Sequence, residues 1–98
     1  MGEPITMTLS SVVCWPPDAF AATVDGRVVL MSQKHGNYYD LGGIGSNVWQ
    51  RLAMPVRVEV LCRALTEEYE GDPLVIQRDV MALLGRLAED ALVEVRGG

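Results

Sequence analysis

The stretch that decides the fold covers residues 38–52, with the sequence YYDLGGIGSNVWQRL. Its first residues are typical of a strand, in which successive side chains point to opposite faces. A glycine-rich segment follows, after which Val48, Trp49 and Leu52 recur at the spacing of one helix face. The stretch therefore predicts a strand that passes through a glycine-rich bend into a helix.

Two more strands are predicted upstream. Residues 20–24 and 27–33 are rich in apolar and β-branched side chains, and Asp25-Gly26 separates them. This dipeptide is a strong hairpin signal, because glycine accepts the positive φ of a type I′ turn. A second turn leads to the third predicted strand, residues 37–41. These runs predict a three-stranded antiparallel sheet whose third strand has an open edge, where backbone N–H and C=O groups are available to a partner.

Three helices are predicted after the sheet. The first runs from Ile44 or Gly45 to Ala53, because the residue before Pro55 disfavours the helical region. The second covers roughly residues 56–69, and its apolar stripe consists of Val58, Leu61, Cys62, Leu65 and Tyr69. A cysteine within such a stripe is expected to be a small buried hydrophobe and not a reactive thiol.

The third predicted helix covers about residues 73–90. Asp72 suits the N-cap, and Pro73 suits the first helical position. The expected buried stripe consists of Ile76, Val80, Leu83, Leu84, Leu87 and Ala91. Residues 92–95 are expected to add a terminal strand or an extended tail. This order of elements predicts the α+β fold class, with a three-stranded antiparallel sheet followed by three helices.

The domain is expected to span residues 19–95. Residues 1–18 contain Pro4, Pro16 and Pro17 and one short β-branched run. They predict an N-terminal arm that holds a strand fragment at most.

Composition excludes several classes of function. The 98 residues fit one domain, and the net charge of −5 argues against a surface for nucleic acid, which needs clustered Lys and Arg. No apolar run approaches the roughly 18 residues of a membrane span. The N-terminus lacks the basic and apolar regions of a secretory signal. The expected location is the cytoplasm, where Cys14 and Cys62 stay reduced.

No catalytic or cofactor motif is recognisable. A dinucleotide-binding G-x-G-x-x-G would need glycine at positions 43, 45 and 48, but position 48 is Val48. His35 is the only histidine; it lies in a predicted turn without other metal ligands at suitable spacing. No nucleophile, base and orienting group converge, so we expect a non-enzymatic protein without metal or cofactor.

Two surface features are candidates for binding. Tyr39 should share the inner face of the third strand with Leu41, which leaves Tyr38 exposed as a contact residue. The acidic segment at residues 67–72 is expected to be a solvated face, with a weak docking patch for a basic partner as the alternative.

Three spaced patterns run through the chain: Leu41-x-x-x-Gly45-x-x-Val48-Trp49-x-x-Leu52, Val58-x-x-Leu61-x-x-x-Leu65-x-x-x-Tyr69 and Asp79-Val80-x-x-Leu83-Leu84-x-x-Leu87. In this order they resemble the PqqD-like family, the leader-peptide recognition domains of ribosomally made, modified peptides. The resemblance covers about residues 19–95. Three positions depart from the family pattern. Gly42 and Ile44 stand where many members carry Asn and then Thr or Ser, and Ala91 stands where a glycine often occurs.

The resemblance implies a winged helix-turn-helix-like fold. In this family the leader peptide adds as an antiparallel strand to the third strand and packs against the third helix. Such strand addition draws affinity from backbone hydrogen bonds and specificity from side-chain pockets. The implied peptide-binding residues are Asn37, Tyr38, Tyr39, Asp40, Leu41, Val75, Arg78, Asp79, Ala82, Leu83 and Arg86.

The chain looks most like the stand-alone proteins of lasso-peptide pathways, because residues 38–41 and the short arm resemble that subgroup. The implied partners are the precursor leader peptide and a transglutaminase-like leader peptidase, with a cyclase as a further partner. Two alternatives remain open: a PqqD-like peptide chaperone that serves a radical enzyme, and a winged-helix DNA-binding regulator. The third helix offers only Arg78 and Arg86 as basic residues, which disfavours DNA binding.

Overall fold

Strands and helices were located in a computed structural model, which describes residues 7–34 and 36–96. In chain order the elements are β1 (Val12–Cys14), β2 (Ala21–Val24), β3 (Arg27–Met31), β4 (Tyr38–Asp40), α1 (Gly42–Arg51), β5 (Val56–Arg57), α2 (Val58–Tyr69), α3 (Pro73–Glu89) and β6 (Glu94–Arg96). The predicted turn residue His35 lies outside the described residues.

The predicted antiparallel sheet is confirmed, with strand order β2-β3-β4. Its first turn is of type I′, because Asp25 and Gly26 both have positive φ, 52° and 78°. Ala21 lies opposite Leu30 in the hairpin, and Tyr39 lies opposite Leu30 on the other side of β3. Strand β3 ends at Met31, two residues before the predicted end at residue 33.

A second three-stranded sheet, in the order β5-β1-β6, was not predicted as a sheet. Its central strand, β1, comes from the expected N-terminal arm, and Val13 pairs with Val56 on one side and with Val95 on the other. The side chain of Val13 is fully buried. The expected strand fragment is thus an integral part of the packed fold, although the division of the chain at residue 19 stays a prediction.

Trp15, also from the expected arm, is anchored to the end of α1. Its backbone N–H donates to the carbonyl of Leu52 at 3.0 Å. Its indole N–H donates to the carbonyl of Trp49 at 2.7 Å, and the two rings stack with centroids 5.3 Å apart. These contacts fix the segment after β1 against the helical core.

Two predicted helix starts were wrong. Helix α1 begins at Gly42, earlier than Ile44 or Gly45, because the Asp40 carboxylate accepts a hydrogen bond from the Gly42 N–H at 3.0 Å and supports the first turn. Helix α2 begins at Val58, because Val56–Arg57 pair with β1 as β5. The N-cap of α3 is as predicted: Asp72 accepts from the Leu74 N–H at 2.9 Å, and Pro73 begins the helix.

The core lies between the helices and the inner face of β3. It is formed by Val13, Val28, Leu30, Val48, Trp49, Leu52, Val58, Leu61, Cys62, Leu65, Val80, Leu84, Leu87, Ala88, Leu92 and Val93. Most predicted stripe residues are among them, whereas Ile76 and Leu83 are half-buried and Tyr69 is exposed. Within the described chain, no helix has both the length and the hydropathy to cross a membrane.

Ala91 is exposed, so its predicted place in the buried stripe was wrong. The reason is that α3 ends at Glu89 in a Schellman motif, which turns the chain before Ala91 can face the core. The Leu92 N–H donates to the Leu87 carbonyl at 2.8 Å, and the Ala91 N–H donates to the Ala88 carbonyl at 3.1 Å. The φ of Ala91 is +57°, in the left-handed region that favours glycine.

We therefore expect Ala91→Gly to stabilise the protein. The substitution relieves the steric cost of an L-residue at positive φ, which outweighs the added freedom of the unfolded chain, for a net gain of about 1 kcal/mol. Urea denaturation measures the free energy of unfolding. Ala88→Gly, in the same turn but within the helix and buried, is the control and should destabilise. An unchanged or lower stability of Ala91→Gly would contradict this account of the turn.

Candidate functional site

The outer edge of β4 is the first component of the site. Among the described strands, β4 pairs only with β3. The Leu41 N–H donates to the Val28 carbonyl at 3.0 Å, and the Asn37 carbonyl accepts from the Ser32 N–H at 2.8 Å. Backbone groups alternate in direction along a strand. Asn37, Tyr39 and Leu41 therefore direct theirs towards β3, and Tyr38 and Asp40 direct theirs away from the sheet.

Side chains alternate along the same strand, as predicted. Tyr38 lies on the outer face and is 72% exposed, whereas Tyr39 and Leu41 are half-buried and pack against the core. The Asp40 carboxylate lies 3.2 Å from the Arg27 guanidinium, in an ion pair that is open to solvent. Asp40 thus has a local structural role, in addition to its proposed place at the edge.

A hydrogen bond ties β4 to the C-terminal end of α3. The Tyr39 hydroxyl donates to the carboxylate of Asp90, the C-cap residue of α3, which is buried. Sequence analysis missed Asp90. A weak signal was present, however, because a carboxylate is unfavourable near the negative end of the helix dipole. This bond fixes how β4 lies relative to α3.

Leu41, Gly45 and Leu83 meet where β4, α1 and α3 converge. A Cβ atom on Gly45 would lie 2.9 Å from the Leu41 Cβ and 3.7 Å from Leu83 Cδ2. The backbone of α1 therefore lies too close to its own N-cap residue, Leu41, for a side chain at Gly45, whereas the distance to Leu83 is an ordinary van der Waals contact. The glycine that resembled a turn residue in the sequence is required here by packing within a helix.

Helix α1 is also bound to β3. The Ser46 hydroxyl accepts a hydrogen bond from the Val28 N–H at 2.8 Å and donates to the Gly42 carbonyl. Sequence analysis did not identify this residue. Ser46 occupies a buried position in α1, where a hydroxyl needs a partner.

The remaining predicted site residues lie along α3. Five of them are exposed on its outer side, and Leu83 is half-buried beside Gly45; the exposed residues are Val75, Arg78, Asp79, Ala82 and Arg86. Arg78 and Asp79 approach each other at 3.5 Å on the surface. In the described chain, no hydrogen bond or ion pair joins this outer side of α3 to residues 37–41. The structure thus presents a strand edge and a helix shoulder with Leu41 and Leu83 between them.

The described part of the chain offers neither grouped metal ligands nor an exposed thiol at the site. Among the described residues, no three His, Cys, Asp or Glu side chains are grouped as metal ligands. Cys14 and Cys62 are free and buried, and burial raises the pKa of the Cys62 thiol. Cys62 therefore stays a neutral, apolar side chain of the core.

Fold and site define a small α+β domain that presents an open strand edge beside a helix. The chain belongs to the PqqD family, because the family model for "Coenzyme PQQ synthesis protein D (PqqD)" matches residues 27–93. This confirms the resemblance found in the sequence.

Two solved structures are similar to this chain. One is TbiB1 in complex with the TbiA(beta) leader peptide: it is 29% identical, with a TM-score of 0.72 over 87% of this chain and 99% of TbiB1. The other is the PqqD part of Methylobacterium extorquens PqqCD, described as a stand-alone recognition element for ribosomally synthesised, modified peptides. It is 22% identical, with a TM-score of 0.76 over 95% of this chain and 99% of its own, and supports the fold. No curated protein matches the chain.

The close approach at Gly45 generates a prediction with an internal control. Gly45→Ala should lower the free energy of unfolding by an amount on the order of 1–3 kcal/mol, because the new methyl group overlaps Leu41 Cβ. Gly43→Ala, two residues earlier in α1, meets no atom within 4 Å and should stabilise by up to about 1 kcal/mol. Thermal and urea unfolding of both variants measure the difference. Equal effects would show that Gly45 is not a packing position.

Proposed function

We propose that this protein is a non-catalytic binding protein that captures the leader region of a ribosomally synthesised precursor peptide as an added strand on β4. The observation that carries the proposal is the outward-facing backbone of Tyr38 and Asp40 at an open edge. The similarity to TbiB1, which was solved with a leader peptide, supports it.

Strand geometry defines how such a peptide would lie. In an antiparallel pair, two peptide residues spaced by two would exchange hydrogen bonds with Tyr38 and Asp40. The peptide residue between them, opposite Tyr39, would direct its side chain to the inner face, towards Leu41 and Leu83. Backbone hydrogen bonds would then supply affinity, and this apolar junction would supply specificity.

The outer shoulder of α3 would complete the binding surface. Val75 and Ala82 offer apolar contact, and Asp79 and Arg86 offer one charge of each sign. These charges are accessible to solvent, so each would contribute modestly to affinity and more to the selection of peptide register.

The first test is a titration with a synthetic leader peptide, with the core segment of the same precursor as the control. We expect binding of the leader only. Methylation of single peptide nitrogens along the bound segment should weaken binding at alternate residues, because only every second N–H faces β4. Equal affinity for the core segment, or equal loss at successive nitrogens, would contradict strand addition.

A second prediction concerns the α3 shoulder. Asp79→Ala and Arg86→Ala should each weaken leader binding, by up to about fivefold, which is the range of a solvent-accessible charge contact. Neither side chain is part of the buried core, so the free energy of unfolding should not change. Arg63→Ala, on the exposed side of α2, is the matched net-charge control for Arg86→Ala. If the control weakens binding equally, the effect arises from overall charge and not from the shoulder.

For the pathway, we propose lasso-peptide biosynthesis, in which the captured precursor is passed to a transglutaminase-like leader peptidase and then to a cyclase. The resemblance of residues 38–41 to that subgroup supports this assignment. Addition of this protein should accelerate cleavage of the precursor by a transglutaminase-like leader peptidase. Acceleration of a radical enzyme instead would assign the protein to the PqqD-like chaperones.

The winged helix-turn-helix-like arrangement and the division of the chain at residue 19 both stay predictions. DNA binding is the weaker proposal for such a fold, since Arg78 and Arg86 on α3 are offset by Asp79 and Glu89 and the chain carries a net charge of −5.

A further inference from the structure

The opposite edge of the same sheet, β2, carries neither of two features that commonly protect strand edges, a charged residue or a proline. All four residues of Ala21–Val24 are exposed, and none of them is charged or a proline. Phe20, just before the strand, is 65% exposed, and Val24 is 50% exposed. An open apolar edge of this kind is a template for pairing with another strand.

The second sheet shows the contrast. Its edge strand β5 follows Pro55 and carries Arg57, and its other edge strand, β6, carries Glu94 and Arg96, whose side chains pair at 3.0 Å. Charges and prolines at edges are the usual means by which proteins prevent edge-to-edge association. The protein therefore protects both edges of one sheet but leaves β2 unprotected.

The hairpin register identifies the free backbone groups of β2. In a two-residue type I′ hairpin the closing pair, here Val24 and Arg27, is hydrogen-bonded, and the pattern alternates from there. Ala22 and Val24 therefore direct their backbone groups to β3. Ala21 and Thr23 direct theirs outward.

We propose that β2 pairs antiparallel with β2 of a second copy of this chain, with a two-fold axis at Ala22. In this register Ala21 of one copy exchanges hydrogen bonds with Thr23 of the other, and the symmetry repeats the exchange. Phe20 of each copy lies opposite Val24 of its partner, and the two small Ala22 side chains face each other at the axis.

The strand is self-complementary, which favours a second copy over an unrelated partner. Phe20, Ala22 and Val24 point to one face, so pairing brings the exposed apolar side chains together as cross-strand neighbours. The strand Ala21–Val24 carries no charged residue, so no like charges are opposed within it. A four-residue strand buries less than the roughly 1,000 Å² of a stable interface, so the dimer forms at high protein concentration.

This dimer is independent of the proposed peptide site. Pairing through β2 joins the two sheets into one of six strands, in the order β4-β3-β2-β2-β3-β4. Both β4 edges remain at the outside. Leader binding and dimer formation therefore fail or succeed separately.

Cysteine cross-linking of the full-length chain tests the register. Directly opposed side chains at a non-hydrogen-bonded antiparallel position have Cβ atoms about 4.5 Å apart, close enough for a disulfide. Ala22→Cys should form a disulfide-linked dimer under mild oxidation, whereas Ala21→Cys and Thr23→Cys should do so only when mixed with each other. Cys14 and Cys62 are buried and provide the background level.

A charge exchange gives an independent measurement. Sedimentation velocity should show a concentration-dependent dimer of the unmodified protein, which is lost in both Phe20→Glu and Val24→Lys. Mixing the two variants should restore a heterodimer, because the introduced carboxylate of one copy then faces the introduced ammonium group of the other, and the second cross-strand pair stays native. Circular dichroism and leader binding should be unchanged in each variant.

Three outcomes would overturn the proposal. The first is a monomer at every concentration together with no Ala22→Cys dimer. The second is cross-linking at equal rates from all three cysteine positions, which indicates random collision. The third is a monomeric protein whose edge variants lose binding to the leader peptidase, which assigns β2 to that enzyme.

Discussion

The close approach of α1 to its neighbours at Gly45 is the constraint on which the rest of the structure depends. Without a side chain at this position, the first turn of α1 fits against Leu41, its N-cap residue directly after β4, and Leu83 of α3 lies within van der Waals distance of the place that a Cβ would take. The Ser46 hydroxyl binds the Val28 N–H in the following position and joins the same helix to β3. One turn of α1 thus sets the position of the sheet relative to α3.

The positioning of β4 has a direct consequence for function. Its inner side chains, Tyr39 and Leu41, are used in packing, and the hydroxyl of Tyr39 binds Asp90 at the end of α3. Its inward backbone groups are used by β3. Among the backbone groups of β4, the outward groups of Tyr38 and Asp40 remain, and they lie at an edge that the Tyr39–Asp90 bond holds against the end of α3. Such a pre-formed edge can accept a strand without a further entropic cost for its own ordering.

Features set by local sequence were predictable. The turn of the β2–β3 hairpin is specified by two adjacent residues, Asp25 and Gly26. The apolar side chains from Val58 to Leu65 repeat at the spacing of one α-helix face. The expected peptide-binding residues came from the resemblance to the PqqD-like family and not from local sequence.

Features set by distant contacts were not predictable. The sequence indicated a strand fragment at most in the N-terminal arm, and the pairing of β1 with two distant segments, β5 and β6, leaves no local pattern. The bond from Tyr39 to Asp90 likewise joins residues that only the fold brings together. At Ala91 the sequence was misleading, because an apolar residue at helical spacing occupies a left-handed turn that glycine would favour.

Amide hydrogen exchange, followed by NMR with and without the leader peptide, tests the central claim most directly. The Tyr39 N–H already faces β3 and should be protected in both states. The Tyr38 and Asp40 N–H groups should exchange rapidly in the free protein and become protected when the peptide binds. Peptide binding that leaves both amides unprotected, while protection appears on α2 or at β2, would contradict the assignment of β4 as the receiving edge.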